Sequence, residues 1–324
     1  MTVGIENIER AAAAIGGAKS LVLACHVGPD GDALGSMLGL ALAATAAGKE
    51  VVASFGSPFL PPPSMSFLPL DTLRPPDEVP ETPEVMVVLD VGSADRLGEL
   101  AGNAHAAGTV VVIDHHVTNE GFGDIAVVDP GAAATGELVY QILGILDWEV
   151  TPAVAQCLLT ALITDTGRFQ YANTTSRTLE IAAALVAAGA EPNVIGRHVY
   201  EEAPFGYLKA AGLAMGRAEL DSDRRVVSTV VTEDDLETTG IDWGDTENLI
   251  DLLRLAVEAD TAVLVKGHAD GRVKVSLRSR GDTDVGGLAA AMGGGGHRLA
   301  AGFTTEGDAE AVRKQIVEAV EEYR

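Results

Sequence analysis

An apolar, β-branched run, Val110-Val111-Val112-Ile113, delivers three polar, metal-capable side chains at its end: Asp114, His115 and His116. Packing asks for none of them. Two further runs end the same way, Leu21-Val22-Leu23-Ala24-Cys25 into His26 and Val85-Met86-Val87-Val88-Leu89 into Asp90. A single His after a strand is usually a boundary residue with its hydrogen bonds satisfied. Three such endings point instead to chemistry, because ligands of open α/β sheets sit beyond the carboxyl ends of the strands.

The loop after the first run, His26-Val27-Gly28-Pro29-Asp30-Gly31-Asp32, places three candidate ligands within seven residues. Two carboxylates beside an imidazole suit a hard to borderline ion such as Mn²⁺ better than a structural Zn²⁺, which favours thiolates. Helix capping accounts for one of the two Asp, but not for both together with His26. Asp165 closes a strongly apolar helical pattern, where the helix dipole disfavours a carboxylate and a bound cation would reverse that preference. Taken alone, Asp165 reads equally as a turn residue or as a ligand.

The elements that must position these residues alternate. Short Val-rich and Leu-rich runs at 21–25, 51–55, 85–90, 109–113 and 125–128 read as buried parallel strands. Helical patterns fall at 4–18, from the Asp30 loop to near Gly48, and at 132–146, 152–166, 174–189 and 191–201. A Pro-rich stretch from Pro58 to Pro83 reads as a surface excursion with little regular structure. The expected fold class is α/β: a mostly parallel sheet with helices on both faces over residues 1–200, a helical connector at 201–218, and a smaller α/β domain at 219–324. In that second domain strands are expected at 225–232, 261–267 and 272–279, and helices at 245–258, 284–292 and 307–323. The Gly293-Gly294-Gly295-Gly296-His297 run lies between the last two helices.

Composition narrows the function. A chain of 324 residues, 47% apolar, supports two ordinary domains. Its net charge of −25 argues against general binding of long DNA or RNA, which rests on Lys and Arg neutralising phosphates. One basic segment stands out: Lys266, Arg272, Lys274, Arg278, Arg280 and Arg298 against only Asp270, Asp282 and Asp284. Neither Cys25 nor Cys157 has a partner at zinc-ligand spacing, and both read as small buried residues. The opening residues lack a secretion signal, and no apolar run reaches the roughly 18 residues of a membrane span. The expectation is a cytoplasmic protein without a membrane partner.

Taken in order, the motifs resemble those of the DHH phosphoesterases. His26-x-x-Pro29-Asp30-x-Asp32-Ala-x-Gly35-Ser36 is similar to the first motif of that family, Asp90 to the second, Asp114-His115-His116 to the third, and Thr164-Asp165-Thr166-Gly167 to the fourth. Val275-Ser276-Leu277-Arg278-Ser279 and Gly293-Gly294-Gly295-Gly296-His297-x-x-Ala300-Ala301-Gly302 are similar to the family's substrate-binding domain. Size and motif order look most like the nanoRNase/pAp-phosphatase (NrnA-type) branch.

The resemblance implies two Mn²⁺ ions, with Mg²⁺ or Co²⁺ as substitutes. One would be held by His26, Asp30 and Asp90, the other by Asp32, Asp90, His115 and Asp165. Asp114 and His116 would orient His115 and the scissile group. The implied reaction is two-metal phosphoester hydrolysis of short oligonucleotides, pAp, pApA or cyclic dinucleotides such as c-di-AMP. The second domain is expected to close over the cleft, with Arg278, His297 and Arg298 neutralising phosphate and the backbone of Gly294, Gly295 and Gly296 approaching it. A homodimer is also implied. The competing readings are a short-chain polyphosphatase and a nucleotide-sensing module without catalysis.

Overall fold

The structure, a computed structural model, describes residues 5–324, so the first residue of the expected opening helix lies outside the described residues. Two compact units divide between Glu202 and Ala203.

In the first unit, β1 (Ser20–Cys25), β2 (Glu50–Phe55), β3 (Val85–Leu89), β4 (Thr109–Asp114) and β5 (Ile125–Val128) form an all-parallel sheet in the order β2-β1-β3-β4-β5. Their side chains alternate between two cores. Leu21, Leu23, Val87, Leu89, Val111 and Ile113 face one way. Val22, Ala24, Met86, Val88, Val110 and Val112 face the other. The first face is covered by α1 (Ile5–Gly17), α2 (Gly31–Ala46), α4 (Thr135–Ile145) and α5 (Pro152–Asp165), and the second by Leu97, Leu100 and α3 (Ala101–Ala106). Near-continuous apolar strands are the consequence, because both sides of the sheet are dry. The chain leaves β1 for β2 on one side and returns past β1 to β3 on the other, so a topological switch point lies between β1 and β3.

The Pro-rich excursion holds only the short 3₁₀ turns Pro63–Met65, Leu70–Thr72 and Pro76–Glu78, anchored by buried Met65, Leu68, Leu73 and Val79. Helices α6 (Ser176–Ala187) and α7 (Pro192–Gly196) follow α5, and α7 runs on into one π turn over Arg197–Glu201.

The second unit begins with α8 (Phe205–Gly216), whose Ala210, Ala211 and Ala214 pack in the same cluster as Val227, Leu236 and Leu264. Its strands are β6 (Glu219–Asp221), β7 (Val226–Thr232), β8 (Thr261–Gly267), β9 (Arg272–Ser279), β10 (Gly295–His297) and β11 (Ala300–Glu306), in the order β10-β11-β9-β8-β7-β6. Helices α9 (Glu233–Thr239) and α10 (Leu249–Leu253) share the α8 face, while α11 (Val285–Ala291) and α12 (Ala309–Ala319) pack on the opposite one.

Three local expectations are corrected here. The helix expected at 245–258 is a 3₁₀ turn, Trp243–Thr246, followed by the single short α10. The Arg280 guanidinium donates to the carbonyls of Arg254 and Ala256, which occupies acceptors that a longer helix would need. Helix α9 was not expected, although Thr232 and Asp235 form a capping box and Gly240 ends the helix at φ 69°.

The glycine run is the third. It is not wholly a loop, since Gly295–His297 pairs antiparallel with Ala300–Gly302. Gly294 has a local reason to be glycine: a Cβ there would stand 2.3 Å from the Gly302 carbonyl oxygen and 2.4 Å from Phe303 Cβ. Gly296 is held at φ 139°, with a Cβ position 2.5 Å from the Ala300 oxygen. Close approach to β11 therefore fixes these two glycines, without appeal to a ligand.

Candidate metal centre

His26 follows β1 and Asp90 follows β3, so the switch point places an imidazole and a carboxylate on either side of one crevice. The backbone turns sharply at Asp90, whose φ is 61°, a left-handed conformation that Asp tolerates better than most residues. Its N–H donates to the Ile113 carbonyl at 2.9 Å, which ties this turn to the end of β4.

Asp30 is the N-cap of α2 and accepts through Oδ1 from the N–H groups of Asp32 and Ala33, both at 3.0 Å. Its Oδ2 lies 3.8 Å from His26 Nε2. One residue thus caps a helix with one oxygen and faces the imidazole with the other. Asp32 is buried, and the Thr135 and Gly136 N–H groups at the start of α4 donate to it at 2.7 and 3.1 Å. The positive end of a helix holds the carboxylate in place. Ser36 donates to its Oδ1 at 2.8 Å, and Thr135 Oγ1 donates to Asp90 Oδ1 at 3.1 Å.

Asp165 reaches the group because α2 and α5 touch almost backbone to backbone. Gly31, Gly35 and Gly39 stand one turn apart on α2. A Cβ on them would meet the Thr164 side chain at 2.5 Å, the Cys157 carbonyl at 2.4 Å and Leu158 at 2.8 Å, respectively. Only glycine allows that crossing, and the crossing brings the last residue of α5 beside the first turn of α2.

His115 Nε2 then lies 3.6 Å from Asp32, 3.7 Å from Asp90 and 3.5 Å from Asp165. Its other nitrogen, Nδ1, lies 3.3 Å from the Ala132 carbonyl, which orients the ring. In the same way His26 turns Nδ1 toward the Val27 carbonyl and Nε2 toward Asp90, at 3.6 Å.

Asp114 has a different part. Its Oδ1 accepts from the His115 and His116 N–H groups and from His116 Nδ1 at 2.7 Å, while Oδ2 accepts from Asn119 at 2.6 Å. Both oxygens are committed to holding the turn that carries the two imidazoles.

Burial penalises charge at each of these groups, and the neighbours decide the outcome. Around Asp90 the facing His26, His115 and His116 overcome burial and hold the carboxyl well below its ordinary range. At His115 the carboxylates of Asp165, Asp32 and Asp90 overcome burial and push the imidazole up to about 9. Burial pushes Asp165 up to about 7 despite His115, and burial with the Asp90 charge raises Asp32 well above the carboxylate range. The site has more carboxylate charge than its own imidazoles neutralise.

The donor chemistry fits divalent ions. His26, Asp30 and Asp90 each offer a ligand atom within 4.8 Å of the others, and so do Asp32, Asp90 and His115. Asp90 belongs to both sets. Mixed oxygen and imidazole donors match Mn²⁺ or Mg²⁺ sites better than thiolate-rich zinc sites.

The predicted residues of the first unit are therefore brought together: His26, Asp30, Asp32, Asp90, Asp114, His115, His116 and Asp165. In the second unit Arg278 lies on β9, Gly294 just before β10, Gly295, Gly296 and His297 on β10, and Arg298 in the turn after it. Sequence reasoning missed Thr135, Gly136 and Asn119, which hold the ligands by hydrogen bonds. Nothing in their spacing announces them. The four-residue repeat of glycines on α2 was a readable signal of the close α5 crossing.

Comparison with known proteins agrees with this site. The model of the DHH family, N-terminal domain, matches residues 20–162, and the DHHA1 domain matches residues 223–323. A bifunctional oligoribonuclease and PAP phosphatase, NrnA, of Thermus thermophilus is 34% identical over 93% of this chain and 89% of its own. The protein of the same description from Bacillus subtilis is 29% identical over 87% of this chain and 88% of its own. The crystal structure of an exopolyphosphatase-related protein from Bacteroides fragilis superposes with a TM-score of 0.91 at 25% identity, covering 99% of this chain and 97% of that one. On the order of the motifs, the two matched domains and relatives that run nearly end to end, the chain belongs to the DHH family.

Proposed function

We propose that this protein is a metal-dependent phosphoesterase that hydrolyses short oligonucleotides and 3′-phosphoadenosine 5′-phosphate, with dinucleotides such as pApA and c-di-AMP in the same substrate class. The observation that carries the reading is the pair of donor sets sharing Asp90 at the switch point of a parallel sheet. His26, Asp30 and Asp90 would hold one ion, and Asp32, Asp90, His115 and Asp165 the other, with Mn²⁺ the ion that best matches these donors. Two such ions supply an activated water and charge stabilisation for the attacking and leaving oxygens of an in-line displacement at phosphorus.

The protein's own groups do the positioning. Asp114 fixes the His115 and His116 turn, so His116 is presented beside the centre in one orientation. Thr135 and Gly136 keep Asp32 aimed at His115, and Thr135 holds Asp90. For the second unit we assign the substrate phosphate to Arg278, His297 and Arg298. The net charge of −25 restricts binding to small anions, since a long polyanion is repelled everywhere outside a local basic site. Two buried free thiols suit a reducing, cytoplasmic setting, and a homodimer is the assembly proposed.

The substrate reading draws on the relatives, whose descriptions name oligoribonuclease and PAP phosphatase activities. The test is a panel of pAp, pApA, c-di-AMP, a long single-stranded RNA and polyphosphate, each with Mn²⁺ and with excess EDTA. Hydrolysis of the small nucleotides that EDTA abolishes is the expected result. Preferential cleavage of polyphosphate, or cleavage of the long strand at an equal rate, would overturn it.

A further inference from the structure

The segment Ala132–Gly136, which leads into α4, is the point from which the Asp32 side of the centre is held. The Ala132 carbonyl lies 3.3 Å from His115 Nδ1. Thr135 Oγ1 donates to Asp90, and the Thr135 and Gly136 N–H groups donate to Asp32. Three of the four residues assigned to that ion are therefore tied to five consecutive residues. The fourth, Asp165, comes from α5, and among the described residues its carboxylate faces His115 Nε2 at 3.5 Å and not this segment.

Asn173 supplies the missing tie. Its side-chain amide donates to the Ala133 carbonyl at 3.0 Å and to the Asp165 carbonyl at 3.1 Å. One NH₂ group has two protons, and these two carbonyls use both. Its Oδ1 is buried with no protein partner among the described residues, so the amide engages the protein through its donors. The chain between Asp165 and Asn173 turns tightly. Gly167, Arg168 and Phe169 all have φ between 55° and 65°, and the Phe169 N–H is caught by Thr166 Oγ1 at 3.0 Å. Consecutive left-handed residues that are not glycine cost free energy and persist only where the surroundings over-determine them.

We propose that Asn173 is a positioning residue for one of the two ions: it locks Asp165 in register with Asp32, Asp90 and His115, and it has no such role for His26 and Asp30. The inference rests on the two-ion reading above. Loss of an outer partner of a metal ligand typically costs 10–100-fold in metal affinity. Here that loss is selective, because His26 and Asp30 are held by the Val27 carbonyl and by the first turn of α2, which Asn173 does not touch.

The experiment is a Mn²⁺ titration of the metal-stripped full chain, followed by the EPR signal of free Mn²⁺ and by calorimetry. Wild type is compared with Asn173→Ala, which removes both donors, and Asn173→Ser, which keeps one. Tm is measured for each protein in EDTA. The expected result is two ions per wild-type chain. In Asn173→Ala one ion is retained within about twofold and the other weakened about 10–100-fold. Asn173→Ser falls between, and every protein remains fully folded in EDTA at the titration temperature, with at most a modest fall in Tm from the lost hydrogen bonds.

Equal weakening of both ions, or unchanged binding of both, overturns the proposal. So does a lower Tm in EDTA with binding unchanged in the protein that remains folded. Should Asn173→Ala not fold, the Asn173→Ser titration decides by the same criterion. A wild-type chain that binds fewer than two ions overturns the two-ion reading itself, and that outcome is visible before any variant is compared.

Discussion

The Cα of Gly35 lies so close to Cys157 that a methyl group on it would stand 2.4 Å from the Cys157 carbonyl oxygen and 3.0 Å from the Ala161 nitrogen. Both are backbone atoms, so neither can rotate away. In an unconstrained helix Gly→Ala would gain roughly 0.5–1 kcal/mol of stability. Here the overpacking cost of about 1–3 kcal/mol wins. Gly35→Ala is expected to lower Tm and, by pushing α5 from α2, to weaken Mn²⁺ binding as well. Gly48→Ala has open space but a φ of 82°, so it tests strain alone and should leave metal affinity intact.

Asp90 belongs to both donor sets, and its left-handed backbone restricts which substitution is informative. Asn adopts that conformation as readily as Asp, so Asp90→Asn removes the charge and keeps the turn. We expect kcat/KM for pApA to fall by more than about 100-fold, beyond the range of outer-sphere partners. The EDTA-treated variant should remain folded by circular dichroism. His115→Ala should lose comparable activity, and undiminished turnover in either variant would contradict the assignment of the ions.

The pKa shifts give signs for two measurements on the metal-free protein. His115 is raised to about 9 from an unfolded value near 6.5, so its stabilising contribution is complete below about pH 6.5 and is lost as pH rises through 9. Asp165 is raised to about 7 from near 4, so it binds more protons folded than unfolded across that window. Both groups make stability fall with rising pH. Asp90 and Asp114 are shifted the opposite way, but they act below about pH 4. The Tm in EDTA should therefore drop between pH 5 and pH 9. Metal ligation needs a neutral imidazole and an ionised carboxylate, so Mn²⁺ should release protons at pH 7. Calorimetry in buffers of different ionisation enthalpy reads that release directly, and proton uptake would contradict the scheme.

Much of this centre was legible because strand ends are. A buried parallel strand has an apolar signature, so a carboxylate or imidazole that follows it is conspicuous, as at His26, Asp90 and Asp114. Asp165 was half legible: its helix was clear, but its proximity to Asp32 depends on Gly31, Gly35 and Gly39, whose meaning lies in α5, Pro152–Asp165, with four strands of the sheet between it and α2. Thr135, Gly136 and Asn173 were not legible. They act through backbone groups and across gaps such as the 103 positions between Asp32 and Thr135, which no local pattern encodes. In the second unit, short elements were missed where hydrogen bonds from distant residues set their ends, as Arg280 does after α10.

The glycine run separates two causes that sequence alone merges. Gly294→Ala places a methyl against Gly302 and Phe303 and should cost about 1–3 kcal/mol of stability. Gly295 has nothing within 4 Å of its Cβ position and no positive φ, so Gly295→Ala should leave Tm unchanged. If substrate phosphate approaches this backbone, Gly295→Ala raises KM with little change in kcat. An unchanged KM would confine the run to a role in packing β10 against β11.

Among the described residues the basic segment of the second unit narrows to three cations without a carboxylate partner, Arg278, Arg280 and Arg298, of which Arg278 is the one within a strand. Lys266 and Lys274 share Glu247, at 2.9 and 3.2 Å, and Arg272 pairs with Asp270 at 2.6 Å. Arg280 holds backbone carbonyls after α10, and Arg298 donates to the Asp282 carbonyl at 3.1 Å. Arg278 donates to the carbonyl of its own neighbour, Leu277, and has no carboxylate partner among the described residues. It is half-buried on β9, so its charge is retained without an acid to offset it. A charge-assisted hydrogen bond to phosphate contributes about 1.5–3 kcal/mol. Arg278→Ala should therefore raise KM for pAp by roughly 10- to 100-fold, with kcat changed far less, as expected where binding energy alone is removed. Arg278→Lys keeps the charge but not the planar fork and should recover only part of the affinity. Steady-state kinetics on the three proteins check this, and equal KM values would remove Arg278 from substrate binding.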